Sequence, residues 1–181
     1  MKTDIIYRVM EKREASVYLP RLFALLDENM RAVAPSGNTH EEDCAAFCEE
    51  VGAALLKENR RIVLITDQGE LIGFLQYYTN DTTFMIEEAQ LKRAYQGRGI
   101  MKRLFVDIAA QVPQNIPYVE AFTHKNNEIP QEILRRHGFV CIDGNCNGRF
   151  CHFRGDCGAF FAALTQKRSA ADCFSEQSIK V

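Results

Sequence analysis

The feature that most constrains the fold is a change of sequence periodicity near residue 91. Before it, three short runs rich in β-branched and aromatic residues follow one another, separated by turn sequences. These runs predict an antiparallel β-meander. After it, apolar residues recur every three or four positions over residues 99–112, which predicts an amphipathic helix. Neither an all-β protein nor a continuous βα repeat has this order of elements, so both are excluded.

The remaining segments complete the order of elements. Strands are predicted over residues 5–9, 62–66, 71–78, 82–91, 118–123, 139–142 and 150–153, and helices over 19–30, 39–59, 99–112 and 130–137. The second helix begins with a capping box formed by Thr39 and Glu42. The resulting order, β-α-α-β-β-β-α-β-α-β-β, indicates an α/β (α+β) fold with a mixed central sheet and helices on both faces.

Composition excludes several classes of protein. The 181 residues fit one domain, expected over 1–168, followed by a polar tail over 169–181 whose end can fray. The 22 Lys and Arg residues against 24 Asp and Glu give a net charge of -2, which is too balanced to hold a nucleic acid by phosphate neutralisation. The N-terminus lacks a secretory apolar core, and the longest apolar run has 8 residues, too few to span a bilayer. We expect a cytoplasmic protein without nucleic-acid or membrane partners.

The seven cysteines are an odd number without an export signal, so a disulfide framework is not expected. Four of them lie between residues 141 and 157, around His152, but none forms the tight CxxC pair that structural zinc sites usually contain. The sequence therefore favours reduced, mostly buried thiols and no metal. A metal-binding or redox-active protein stays open as an alternative.

The segment LKRAYQGRGIMKRL, residues 91–104, carries the strongest indication of chemistry. A strand ends, Gly97 and Gly99 permit a tight turn, and a helix begins whose first amides lack intrahelical partners. Such amides, with the helix dipole and the nearby cationic side chains, form an anion site suited to phosphate. The Walker A pattern is absent, and Lys102 stands where a dinucleotide-binding loop needs glycine. On these residues alone, a strand-to-helix turn without a ligand explains the glycines equally well.

The run from Gln96 to Met101 resembles the acetyl-CoA-binding motif Q/R-x-x-G-x-G/A of the GNAT (Gcn5-related) N-acetyltransferases. Gln96 opens the motif, Gly99 takes its first glycine position, and Met101 stands where Gly or Ala is usual. Residues 127–139, NEIPQEILRRHGF, resemble the family segment N-x-x-A-x-x-L-Y-x-x-x-G-F. Together with the order of elements, the resemblance covers about residues 5–155.

The resemblance implies an N-acetyltransferase that uses acetyl-CoA as co-substrate. Two strands would splay apart, with the pantetheine in the opening. The implied cofactor-binding residues are Ala89, Gln90, Leu91, Gln96, Gly97, Arg98, Gly99, Ile100, Met101 and Asn127. A neutral primary amine of a small molecule or peptide, held by the helices of residues 19–59, would attack the thioester in a ternary complex. A homodimer through the sheet edge after Phe150 is implied by family analogy only.

The amine must lose a proton, and a carboxylate or histidine is the usual acceptor. The candidate catalytic residues are Glu120, His124 and Glu88. Neighbours on a strand point to opposite faces, so at most one of Glu87 and Glu88 is expected in the cleft. Histidine as a residue type titrates nearer neutrality than a carboxylate.

The acid that protonates the departing thiolate is less well defined. Leu134 occupies the position of the family's tyrosine acid. Either His137 or a water would have to donate the proton instead, or the thiolate would leave unprotonated. A non-catalytic acyl-CoA-binding module of the same fold is therefore the alternative function. Acidic residues between 27 and 43 could attract a cationic amine, although charged helix faces are usually only solvated.

Overall fold

The computed structural model of this chain describes residues 4–57 and 59–165. The strands are β1 (Ile5–Val9), β2 (Arg60–Asp67), β3 (Glu70–Thr79), β4 (Thr83–Leu91), β5 (Tyr118–His124), β6 (Val140–Cys146) and β7 (Phe150–Asp156). The α-helices are α1 (Ala15–Met30), α2 (His40–Ala54), α3 (Ile100–Ala109), α4 (Glu128–Arg136) and α5 (Cys157–Thr165). The predicted mixed α/β class and the predicted order of elements are confirmed.

Helix α5 is an addition to the predicted order. Its sequence, CGAFFAALT, is apolar nearly all round and has no helical period to detect. The side chains of Cys157, Phe160 and Leu164 are buried in the core beside α3. The predicted tail over 169–181 lies outside the described residues. Helix α2 ends at Ala54, five residues before the predicted end.

All strands join one sheet in the order β1-β2-β3-β4-β5-β7-β6. Strands β4 and β5 pair in parallel, and the other neighbouring pairs in this sheet are antiparallel. Helix α3 connects β4 to β5, as a parallel crossover requires. Strand β7 lies between β5 and β6, so the last hairpin enters the sheet in reverse order.

Alternation along the strands divides the core into two layers. On one side, which we call the α3 face, Val63, Val119 and Ala121 pack with side chains of α3 and α5. On the other side, the α1 face, Leu64 and Phe74 pack with Leu22 and other side chains of α1. Because successive strand residues point to opposite faces, the even-numbered residues of β5 belong to the α1 face.

The predicted capping box of α2 is present. The Thr39 hydroxyl accepts the Glu42 amide at 3.2 Å, and the Glu42 carboxylate accepts the Thr39 amide at 2.9 Å. These bonds satisfy two backbone amides at the N-terminal end of α2 and define the residue at which the helix begins. In the described ranges, no helix is both long enough and apolar enough to cross a membrane.

Candidate active site

A gap opens in the middle of the sheet between β4 and β5. The two strands pair only from Thr83 with Tyr118 to Ile86 with Ala121. Beyond this point, β4 continues to Leu91 beside β3 alone, and β5 continues to His124 beside β7 alone. The predicted splay of the two strands is thus present in the sheet.

The backbone of β4 presents hydrogen-bonding groups to this gap. The Lys92 amide donates to the Ile72 carbonyl of β3 at 2.8 Å, so alternation directs the backbone groups of Leu91 and Ala89 away from β3. The Leu91 carbonyl already accepts the side-chain amides of Asn29 at 3.1 Å and Gln96 at 3.0 Å. Among the predicted cofactor contacts on β4, the Ala89 carbonyl is therefore more accessible to a ligand than the Leu91 carbonyl.

The loop before α3 has the geometry of an anion site. Gly97 and Gly99 have φ of 71° and 69°, which glycine adopts without strain, and a Cβ on Gly97 would meet nothing within 4 Å. The first amide bonded into the helix is that of Arg103, which donates to Gly99. Among the described residues, no acceptor is bonded to the amides of residues 97–102. These amides point outward together with the dipole of α3.

Side chains of the loop leave these amides accessible. Ile100 is buried, and the Met101 side chain packs against the core on the α3 face, so the departure from the family motif does not crowd the turn. The Arg98 guanidinium stacks on the Tyr95 ring with 5.3 Å between the guanidinium carbon and the ring centroid. The Gln96 side chain ties the loop to the end of β4.

Glu88 lies on the α1 face beside the gap. It pairs in register with Gln76 of β3, and its carboxylate accepts the Gln90 side-chain amide at 3.0 Å. The Gln90 carbonyl in turn accepts the Asn29 side-chain amide at 2.9 Å. Burial raises the pKa of Glu88 from 4.5 to about 7, against the Gln90 hydrogen bond and with a small contribution from the charge of Glu87. Glu88 is therefore near half-ionised at neutral pH.

That at most one of Glu87 and Glu88 lies in the cleft stays a prediction, but the alternation from which it was derived is interrupted. A β-bulge between β3 and β4 makes Glu87 an extra residue and interrupts the alternation. The Glu87 carboxylate consequently turns to the same face, where it binds the Arg60 guanidinium through both oxygens and accepts the Gln76 side-chain amide at 3.0 Å. Because its oxygens are already engaged, Glu87 is poorly suited to take a proton from a substrate.

Glu120 is also on the α1 face but is enclosed by partners. Only 6% of its surface is exposed, and its two oxygens accept His152 at 2.8 Å and Arg154 at 2.7 Å. The His152 ring stacks on Phe122 with centroids 4.2 Å apart. A catalytic role for Glu120 stays a prediction, and its contacts suit it to hold His152. His152 was not predicted, because only the register of β7 against β5 brings it here.

His124 lines a cavity of about 210 Å³ between the end of β5 and the α1–α2 loop. The cavity walls are largely apolar, with Phe23 and Phe150 among them, and the charged residues Asp27, Arg31 and Asp43 also line it. Burial opposes ionisation of Asp27, but hydrogen bonds from His40 and Arg31 hold its pKa below the ordinary value. Glu88, Glu120 and His124 thus share the face on which this cavity opens.

Asn127 follows β5 and contacts the end of α1. Its side-chain amide lies 3.4 Å from the Met30 sulfur, and the neighbouring Asn126 amide reaches the Val33 carbonyl at 3.5 Å. These contacts connect the loop after β5 to the α1–α2 loop beside the cavity. Contact between Asn127 and a cofactor stays a prediction.

The family model of the acetyltransferase (GNAT) family matches residues 19–139. This chain belongs to the GNAT acetyltransferase family. A comparison with curated sequences found no match.

Solved structures of GNAT enzymes have the same fold. PaiA N-acetyltransferase from Thermoplasma acidophilum in complex with coenzyme A is similar with a TM-score of 0.68 and 12% identity, over 84% of this chain and 99% of that one. The spermidine/spermine N-acetyltransferase SpeG from Vibrio cholerae is similar with a TM-score of 0.59 and 13% identity, over 88% and 97%. Aminoglycoside 6'-acetyltransferase type Ii is similar with a TM-score of 0.60 and 20% identity, over 84% and 97%. At these identities the likeness shows the fold alone.

Two positions on the α3 face of this GNAT domain bear on the missing acid. Leu134 packs against the apolar core and has no group that donates a proton. His137 ends α4 with its ring edge-on to Phe160, at 6.0 Å between centroids. Burial, together with the charge of Lys102, lowers the pKa of His137, so it is a neutral imidazole near pH 7.

The cysteines of this GNAT domain are mostly not buried, contrary to prediction. Of the six within the described residues, all are free thiols, and Cys157 is the buried one. Cys141, Cys146 and Cys151 lie on the final hairpin, whose strand β6 is an exposed sheet edge. In the part of the chain that the structure describes, no three His, Cys, Asp or Glu side chains are grouped to hold a metal ion.

Proposed function

We propose that this GNAT protein is an acetyl-CoA-dependent N-acetyltransferase that acetylates a primary amine on a small molecule. The observation that carries the proposal is the combination of two features at one place. The gap between β4 and β5 opens beside the loop of residues 97–102, whose amides have no acceptor among the described residues. A strand-lined gap that ends at an anion site fits a ligand with an extended arm attached to a diphosphate.

The residues present fit acetyl-CoA. The amides of residues 97–102 would hold the diphosphate, and the Ala89 backbone would bind the pantetheine as a neighbouring strand does. When bound, acetyl-CoA supplies a thioester carbonyl that an amine can attack directly. The acceptor amine reaches it from the α1 face, where the cavity lined by His124 opens.

Glu88 is the best-supported general base among the predicted catalytic residues. It stands beside the gap, and its pKa of about 7 matches the pH at which a base must both be ionised and accept a proton. Gln90 and Asn29 fix the orientation of its carboxylate by two successive hydrogen bonds. Glu120 and His124 lie on the same face; both Glu120 oxygens have protein partners, and the His124 Nδ1 accepts the Asn126 backbone amide at 3.3 Å.

The acceptor we propose is a small cationic amine. Asp27 and Asp43 both line the cavity, and hydrogen bonds to each lower its pKa, so both are ionised at neutral pH. Arg31 lines the cavity too and pairs with both, which leaves one carboxylate more than guanidinium there. The names of two structural neighbours specify spermidine/spermine and aminoglycosides, which are cationic amines. A cytoplasmic location and a homodimer stay predictions from the sequence.

The experiment measures thiol release from acetyl-CoA with spermidine, an aminoglycoside, a free amino acid and a short peptide as acceptors. We expect amine-dependent release above the rate of spontaneous hydrolysis with at least one cationic acceptor. Binding of CoA by calorimetry without release for any acceptor would instead support the non-catalytic acyl-CoA-binding module. Absence of both binding and release would contradict the proposed function.

A further inference from the structure

One buried hydroxyl group lacks a hydrogen-bond partner at the border of the gap. Among the described residues, two side-chain atoms are buried without any partner, the Gln76 carbonyl oxygen and the Thr123 hydroxyl. The Thr123 residue is only 8% exposed. Buried hydroxyls are normally hydrogen-bonded, because an unpaired one loses its bonds to water without replacement. Thr123 therefore has a donor available for a group that the protein itself does not provide.

The position of Thr123 in β5 places it next to the space that acetyl-CoA would fill. It comes two residues after Ala121, the last β5 residue that pairs with β4, and it pairs with Cys151 of β7 on the other side. Alternation along β5 puts its side chain on the α3 face with Val119 and Ala121. Thr123 thus lies on the part of β5 that borders the gap.

Helix α4 covers this part of the α3 face, where its Arg135 guanidinium lies over the Phe153 ring and donates to the Gln131 side-chain oxygen at 3.3 Å. The Gln131 side-chain amide of α4 binds the carbonyls of His124 at 3.2 Å and Lys125 at 3.0 Å, which fixes the helix to the end of β5. Leu134, three residues further on and on the same side of the helix, packs in the apolar core. Thr123 is accordingly the hydroxyl that this region offers to the gap.

We propose that the Thr123 hydroxyl donates a hydrogen bond to the sulfur of acetyl-CoA and of the CoA product. The inference rests on the proposed function, because it requires acetyl-CoA in the gap. In the transfer, the acceptor nitrogen forms a bond to the acyl carbon and gives its proton to Glu88. Thr123 stabilises the sulfur that receives the electron pair of the breaking carbon–sulfur bond. The hydroxyl keeps its own proton, and the thiolate takes a proton from water after release.

The test compares binding of CoA and of desulfo-CoA, in which hydrogen replaces the thiol, by calorimetry to the wild-type protein, Thr123→Val and Thr123→Ser. At a pH above the thiol pKa, we expect Thr123→Val to weaken CoA binding about tenfold and to leave desulfo-CoA binding unchanged. Thr123→Ser keeps the hydroxyl and should retain CoA binding. Valine has the same shape, so Thr123→Val should melt at the same or a higher temperature than the wild type.

A titration of bound CoA provides a second readout that a packing defect would not change. Thiolate absorbance should show the bound thiol ionising below the ordinary thiol pKa of about 8.5 in the wild type and about one unit higher in Thr123→Val. Equal CoA affinities and equal thiol titrations in the two proteins would overturn the role of Thr123 and leave the proposed function intact. Failure of the wild type to bind either CoA or desulfo-CoA would overturn the proposed function itself.

Discussion

Replacing Glu88 with glutamine tests whether partial burial beside the gap raises the pKa of this carboxyl. The change removes the titrating group but keeps an oxygen that can accept the Gln90 side-chain amide, now 3.0 Å from the carboxylate. The packing and the connection to Asn29 through Gln90 are thus preserved. Any difference between the two proteins that varies with pH is then due to the ionisation of Glu88.

The magnitude follows from the pKa. The folded protein holds the Glu88 proton up to about pH 7, whereas the unfolded chain releases it near the ordinary value of 4.5. Between these values the folded state binds more protons, so the stabilising effect of Glu88 is complete below pH 4.5 and is lost as the pH rises through 7. At 1.36 kcal/mol for each pKa unit, the loss is about 3 kcal/mol.

The assay is urea unfolding, followed by circular dichroism, of the wild type and Glu88→Gln at pH values from 4.5 to 8. The free energy of unfolding of the variant minus that of the wild type should increase by about 3 kcal/mol as the pH rises from 4.5 to 8. Glu50→Gln, the same change at an exposed residue of α2, is the matched control and should show no such gain. If the wild-type and Glu88→Gln profiles run parallel, the assignment of a raised pKa to Glu88 is refuted.

Two other substitutions test the framework around the gap. In Gly73→Ala, the new Cβ would lie 2.5 Å from the Gln90 carbonyl oxygen, so β4 must move away from β3. We expect the free energy of unfolding in urea to fall by about 1–3 kcal/mol and CoA binding, measured by calorimetry, to weaken. In Arg60→Met, the mostly buried Glu87 loses its bidentate partner, and we expect the free energy of unfolding to fall by roughly 3 kcal/mol. Adding Glu87→Gln should restore most of this loss. An unchanged stability of the single variant would contradict this role of the ion pair.

The local sequence was sufficient for most elements of the fold. The capping box of Thr39 and Glu42 defined the start of α2, and the apolar period after Gly99 defined α3. These signals act over a few residues, where helix caps and amphipathic faces are determined by neighbours in the chain. The anion-site geometry before α3 was predictable for the same reason. Helix α5 was not, because a helix that is apolar on nearly every side has no periodic signal.

The catalytic face was less predictable, because it depends on register between distant strands. The bulge opposite Gln76 turns Glu87 and Glu88 to one face, and no residue type in β4 signals it. Strand β7 enters the sheet between β5 and β6, which brings His152 and Arg154 onto Glu120 from more than thirty positions away in the chain. The sequence identifies these ionisable groups, but pairing decides which are neutralised by partners. Of the carboxylates beside the gap, Glu87 has the Arg60 guanidinium on both oxygens, Glu120 has His152 on one oxygen and Arg154 on the other, and Glu88 has one side-chain amide. Burial without a charged partner raises the pKa of Glu88, and the long-range strand pairing determines these surroundings.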